Sequence, residues 1–275
     1  MGICVYCHKP AGFLRTAHKE CKKQHQSGEQ RILSLVAGMT AKSVSEKQLE
    51  AIIKNEAKNS FIDEKTQKKL IIAGWEQAVE RAFDDGLLSQ EEEDALVELQ
   101  THFNLTQDSL DTHGAYSKVV KGAVLRDILS GKIPERVKIA GALPFNLQKN
   151  EILVWVFQNV DYYEEKTCTH YKGGSHGVSI RVAKGIYYRV GAFKGRRVQT
   201  QEAIHDTGLL GVTNKQIYFA GSTKRFRIGY NKIVAIEPYS NGISILRDAA
   251  TAKPQTFVTG EGWFIYNLMT NLAQI

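Results

Sequence analysis

The sequence predicts a multidomain α+β protein: an N-terminal zinc knuckle, an α-helical middle, and a C-terminal antiparallel β barrel or sandwich closed by a capping helix. Three observations carry that expectation. Four residues of metal-ligand type fall between Cys4 and Cys21. Apolar residues then recur at spacings of three and four as far as about Ser130. Beyond Pro144 the chain breaks into short β-type runs separated by Gly, Asn, Ser and Lys. The expected boundaries are 1–30, 42–131 and 150–275, a division that suits a chain of 275 residues.

The knuckle is written in Cys4-Val5-Tyr6-Cys7 and His18-Lys19-Glu20-Cys21, a C-x2-C-x10-H-x2-C pattern. A CxxC turn lets two thiolates converge on one ion. His18 and Cys21, three apart, share a face on a helical turn and complete a tetrahedral set. Lys9-Pro10-Ala11-Gly12 supplies the turn between the ligand pairs. A redox CxxC is expected at a helix start after a buried strand, and no apolar strand precedes Cys4. The expectation is therefore structural zinc on Cys4, Cys7, His18 and Cys21, with His8 and His25 as spare ligands and His25 an alternative to His18. The pattern resembles treble-clef and related short zinc fingers, without the Asp-His pair of HNH-type nucleases. So small a module holds little apolar core, and metal binding supplies stability instead. Lys9, Arg15, Lys19, Lys22 and Lys23 surround it. They suit phosphate contacts, but no base-reading helix is evident, so protein contact or a purely structural role is expected first.

The middle reads as successive helices. Ser45-Glu46-Lys47-Gln48 is a capping box, with Leu49, Ile52 and Ile53 on one face. Ile71, Trp75, Ala78, Val79, Ala82 and Phe83 mark a second helix from about Asp63 to Gly86. Ser89-x-x-Glu92 opens a third, with Leu96, Val97, Leu99 and Phe103 inward, and Ala115–Leu129 forms another, stopped by Gly131 and Pro134. Asp84-Asp85-Gly86 fails as a calcium loop, because aligning Gly86 puts Arg81 and Phe83 where oxygen donors are required. The set faintly resembles small TerB-like helical domains, and no residue role is carried over from them.

The C-terminal strands are expected at Ile152–Phe157, Val178–Ala183, Ile186–Val190, Leu209–Thr213, Ile217–Ala220, Phe226–Ile228, Ile233–Glu237, Ile243–Arg247 and Thr256–Thr259. A helix follows at Trp263–Leu272, with Trp263, Ile265, Tyr266, Met269 and Leu272 along one side. Asn214-Lys215 suits a two-residue hairpin turn, since Asn tolerates positive φ. Arg225 and Arg227 alternate with Phe226 and Ile228 and should point away from the core. The stretches Gly208–Phe219, Phe226–Glu237 and Gly242–Leu246 resemble the bacterial pleckstrin-homology and GRAM superfamily over residues 150–275. That resemblance implies a PH-like module that binds phosphoinositides in some members and mediates oligomerisation or protein contact in others.

Two basic glycine-rich loops, Tyr171–Gly177 and Phe193–Arg197, are candidate anion sites through Lys172, Lys194, Arg196 and Arg197. Catalysis finds no support. There is no G-x-x-x-x-G-K-[ST] loop and no G-x-S-x-G elbow. Ser175-His176 and His205-Asp206 are adjacent pairs that cannot face one another, and Cys168 with His170 and His176 shows no defined ligand or nucleophile spacing.

Composition narrows the class further. The formal net charge is +7. It is segregated: residues 31–111 are acidic and both flanks basic, which fits an anionic partner or mutual attraction between domains. The longest apolar runs are far shorter than the roughly 20 residues a membrane helix needs. Four cysteines, three near the N-terminus, make no disulfide framework and point to a reducing, cytoplasmic setting. The expected role is a non-enzymatic adaptor with a protein partner, self-association through sheet edges included; nucleic acid or an anionic membrane is the alternative.

Overall fold

In a computed structural model of the chain, residues 2–13, 15–39, 45–138, 141–164, 206–249 and 252–275 are described in full, and 171–172, 178–183, 186–190 and 196–197 by their backbone alone. They form two compact units, Met1–Ala123 and Val124–Ile275.

The first unit opens with a two-stranded ribbon, β1 (Gly2–Ile3) and β2 (Pro10–Gly12), paired antiparallel. Helices follow: α1 (Lys19–Ala37), α2 (Glu46–Asn59), α3 (Glu64–Ala82), α4 (Gln90–His102), the single turn α5 (Gln107–Leu110) and α6 (Ala115–Leu129), which runs on past Ala123 into the second unit. The starts of α2, α3 and α4 are the polar caps read from the sequence. Ser45 with Gln48, and Ser89 with Glu92, form complete capping boxes, and Asp63 accepts the Thr66 N–H. Residue 30 falls inside α1, which grows straight out of the knuckle and buries Ile32 and Val36 against α3. The core is completed by Leu49, Ile53, Trp75, Val79, Leu96 and Leu99, and the Trp75 indole N–H donates to the Leu96 carbonyl at 3.0 Å. Gly74 permits the close approach of α1 and α3: a Cβ there would lie 2.6 Å from the Cβ of Val36. At the Asp84–Gly86 corner Asp85 accepts the Leu87 N–H and Gly86 has φ 86°, so these acids close a turn.

The second unit is built on one antiparallel sheet. Its strands are β3 (Leu153–Glu164), β8 (Asp206–Thr213), β9 (Gln216–Gly221), β10 (Arg225–Gly229), β11 (Ile233–Tyr239), β12 (Gly242–Arg247) and β13 (Gln255–Val258), in the order β10-β9-β8-β3-β13-β12-β11. Separate pairs are made by β4 (Tyr171–Lys172) with β7 (Arg196–Arg197), and by β5 (Val178–Ala183) with β6 (Ile186–Val190). The two edge strands, β10 and β11, are consecutive in the chain and joined by a single 3-10 turn, Tyr230–Lys232. The sheet must therefore curl until one end of each edge is close to the other. It is nonetheless open: no ladder joins β10 to β11 among the described residues, so the expected closed barrel is not formed. The bulge at Val234, where the β11–β12 register slips, breaks the regular row of backbone groups that closure would need.

The concave side is aromatic, with Tyr162, Phe219, Phe226 and Phe257 packed at ring separations of 5.0–6.3 Å. Helix α7 (Gly262–Leu272) packs on β11 and β12. Its buried residues are Phe264, Ile265, Leu268, Met269 and Leu272, whereas Trp263 and Tyr266 are only half-buried, which rotates the apolar face from the one expected. Phe264 meets Trp155 edge-on at 4.9 Å. Arg225 and Arg227 are exposed on either side of Phe226, as the alternation predicts.

Two buried carboxylates organise the hairpins. Asp206 accepts six hydrogen bonds, from Thr207 N, Ser222 N and Oγ, Thr223 N and Oγ1, and Lys224 N, and so ties the β9–β10 turn to the start of β8. Glu151 accepts from Thr213 Oγ1, Tyr218 OH, Gln216 Nε2 and Gln148 N beneath the β8–β9 turn. That turn does not use the positive φ expected of Asn214, which is absent from the residues in that region. Instead Thr213 Oγ1 accepts the Lys215 and Gln216 N–H groups, and Asn214 Oδ1 accepts the N–H of Ile152. Among the described residues no helix is long and apolar enough to cross a membrane.

Candidate metal centre

The strongest constellation lies where the ribbon meets α1. Cys4 leaves β1 and is fully buried; its N–H donates to the Lys9 carbonyl and its own carbonyl accepts the His8 N–H, which folds Cys4–Cys7 into a tight turn. His8 takes φ 56° there, a conformation that the turn imposes. His18 is the N-cap residue of α1 and makes no side-chain cap, so its ring is free to swing toward the sulfurs. Cys21 sits in the first turn of the same helix, on the face His18 shares.

One ligand atom from each of Cys4, Cys7, His18 and Cys21 lies within 4.8 Å of the other three. The His18 Nδ1 atom is 3.3 Å from Cys7 Sγ and 3.6 Å from Cys21 Sγ. Bonds of about 2.3 Å to sulfur and 2.0–2.1 Å to nitrogen at tetrahedral angles place N and S about 3.6 Å apart. The cluster therefore already has the spacing of a Cys3His site. The other ring nitrogen fixes the tautomer: Nε2–H donates to the Pro10 carbonyl at 3.0 Å, leaving the Nδ1 lone pair aimed at the thiols. Pro10 acts through its backbone, so no residue type could have announced it.

The electrostatics describe a site short of positive charge. Burial pushes the Cys4 thiol up, but the backbone groups of Cys7, His18 and Tyr6 outweigh it and bring Cys4 down to about 6. Cys21 is pushed up to about 11, by burial first and then by Cys7 and Cys4. The imidazolium of His18 is favoured by the Pro10 carbonyl first and then by the sulfurs of Cys7 and Cys4. Cys4 thus gives up its proton readily while Cys21 keeps its own in the absence of a cation, and a divalent ion is the species that displaces it.

His25, the spare ligand, is engaged elsewhere. Its Nδ1–H donates to the Ser60 carbonyl at 2.9 Å and its ring lies 4.6 Å from that of Tyr6. It joins the knuckle to the end of α2, as does Gln24, which donates to the Asn59 carbonyl. His8 is exposed and outside the cluster.

The anion candidates stand differently. Register places Lys172 opposite Arg196 in the β4–β7 pair, so the two basic loops meet along the backbone. The side chains of Lys172, Arg196 and Arg197, and Lys194 altogether, lie outside the described residues, as do Cys168, His170, Ser175, His176 and His205. Neither any protein-family model nor any characterised protein sequence matches this chain.

Proposed function

We propose that this chain is a zinc-stabilised adaptor that recognises protein partners through preformed surfaces and catalyses no reaction. The observation that carries the reading is the closure of the cluster. Three sulfurs and one imidazole nitrogen converge from Cys4, Cys7, His18 and Cys21. A dication held by all four has every tetrahedral position filled by protein, so it orders the chain and has no place for a water to activate. The soft sulfur-rich donor set favours zinc over magnesium or calcium. Three unpaired thiols of this kind suit a reducing compartment such as the cytoplasm.

In the second unit, an open antiparallel sheet followed by a helix supports the pleckstrin-like reading and its use as a contact module. Val234 is 62% exposed on the outermost strand β11, and Leu246 is exposed on β12 opposite Ala235. Partner contact, including self-association, is assigned to this strip.

The test has two arms. Metal analysis of the purified chain should give one zinc per molecule, lost in Cys7→Ser; full zinc in that variant refutes the ligand set. Affinity capture with wild type and Val234→Asp should differ by a defined partner, and identical capture removes the β11–β12 strip from the reading.

A further inference from the structure

The ribbon presents apolar side chains that the metal does not explain. Ile3 is 65%, Val5 61% and Phe13 85% exposed, close together in the sequence. Single exposed apolar residues are ordinary, but three on one small ribbon mark a contact surface. Ile3 ends β1 and Val5 opens the Cys4–Cys7 turn, so both sit beside buried Cys4 with their own side chains exposed. Gly12 has φ +96°, a left-handed turn that releases Phe13 from the strand alternation just after buried Ala11. The side chain of Arg15 passes beside Gly12, 4.0 Å from where a Cβ would stand.

Around these residues the charge is one-sided. Lys9, Arg15, Lys19, Lys22 and Lys23 are all exposed, and none forms an ion pair among the described residues. Glu20 is the one acid between residues 1 and 28. A Cys3His site with a divalent ion carries a single net negative charge, which five cations exceed even together with Glu20.

We infer that the metal-ordered knuckle is a docking platform for single-stranded nucleic acid, with an unstacked base against Phe13 and phosphates against Lys9, Arg15 and Lys19. The inference rests on the proposed reading in one respect, that a metal orders the ribbon. Cation, aromatic ring and cation follow one another along Lys9, Phe13, Arg15 and Lys19, and a single strand repeats phosphate and π-face at every nucleotide. In a duplex those faces are stacked and out of reach. An acidic peptide satisfies the cations but offers Phe13 no such face.

Fluorescence anisotropy with the full chain tests this, using a labelled oligo(dT) of about twelve nucleotides, the matching duplex, and polyglutamate as competitor. The single strand should bind more tightly than the duplex and weaken about 20-fold between about 50 and 200 mM salt if three phosphates are neutralised. Phe13→Ala should weaken it about tenfold. Lys9→Ala with Arg15→Ala should make the slope of log affinity on log salt shallower by about 1.4. All of these residues are exposed, so the variants should fold, and zinc is measured on the same samples. Unchanged affinity in Phe13→Ala, equal binding of the duplex, or displacement by polyglutamate at equal charge overturns the platform; the last would assign the surface to an acidic protein. A zinc-free sample refutes the metal reading instead, whereas a zinc-loaded sample that ignores the oligonucleotide refutes the platform alone.

Discussion

His18 and His25 are seven positions apart, and both stand beside the knuckle, yet their rings do opposite things. One aims Nδ1 at three sulfurs; the other spends its Nδ1–H on the Ser60 carbonyl. His18→Ala should therefore abolish stoichiometric zinc, while His25→Ala should keep the metal and loosen only the tie to α2, which metal analysis and limited proteolysis separate. Spacing alone picked out the four residues that cluster but left the two histidines open, because the place of His25 depends on a carbonyl 35 residues away in sequence. Asp206 shows a second residue-scale effect. The Ser222 hydroxyl, against the opposing effect of burial, and then the N–H groups of Lys224, Thr223 and Ser222 hold its carboxyl well below the usual range. A depressed folded-state value stabilises the fold above the unfolded value of about 3.9 and loses that contribution as pH falls toward the folded one. Asp206→Asn should lower the unfolding midpoint of the second unit at neutral pH, and its acid limb below about pH 4 should be flatter than that of wild type. Parallel acid limbs would show that the six-donor cage is not what titrates.

At the scale of elements, the helices were legible where a polar cap met an apolar period. Ser45, Asp63 and Ser89 each cap the helix expected of them, and Ala115–Leu129 is found with the same bounds. Nine strands were legible from β-branched runs between turn residues, but β3 runs on to Glu164, well past the Phe157 at which it was expected to end. Three things were not. The length of α1 was hidden by its polar first half, Lys19 to Arg31, whose apolar side begins only at Ile32. The face of α7 was misjudged, since a segment with so many apolar residues has no single stripe to read. Closure of the sheet is a property of its edges, which no local pattern encodes. The corrected face carries a prediction: Phe264→Ala should destabilise the second unit by about 3–5 kcal/mol, and Trp263→Ala by clearly less, in chemical denaturation. Gly74 gives a sharper one. Alanine in a helix interior gains about 1 kcal/mol over glycine, but here its Cβ would press on Val36 and on the Leu33 carbonyl at 3.1 Å. Overpacking of about 1–3 kcal/mol should win, so Gly74→Ala lowers the stability of the first unit, and a gain would show that α1 can shift.

At the scale of the whole molecule, two units share one chain, and among the described residues the candidate metal cluster lies in the first. A ligand that binds folded protein alone stabilises it by mass action, about 1.4 kcal/mol for each tenfold rise in free concentration above its dissociation constant. Free zinc should act on the unfolding of the first unit in that way and leave the second where it is. The knuckle is also the place where proteolysis reports the same linkage. Arg15 and Lys19 are exposed and trypsin-cleavable, and they sit just after the short ribbon and in the first turn of α1, before the helix reaches its core residues Ile32 and Val36. Chelation should therefore open cleavage at these two positions first, without changing the digestion of residues 206–275. Phe264→Ala should do the converse, exposing the sheet while zinc stays bound. Equal zinc shifts in both transitions would mean that the chain unfolds as one cooperative body, and no shift in either would mean that the four clustered ligands hold no metal; only a shift confined to the first unit agrees with a metal that orders a recognition surface and nothing else.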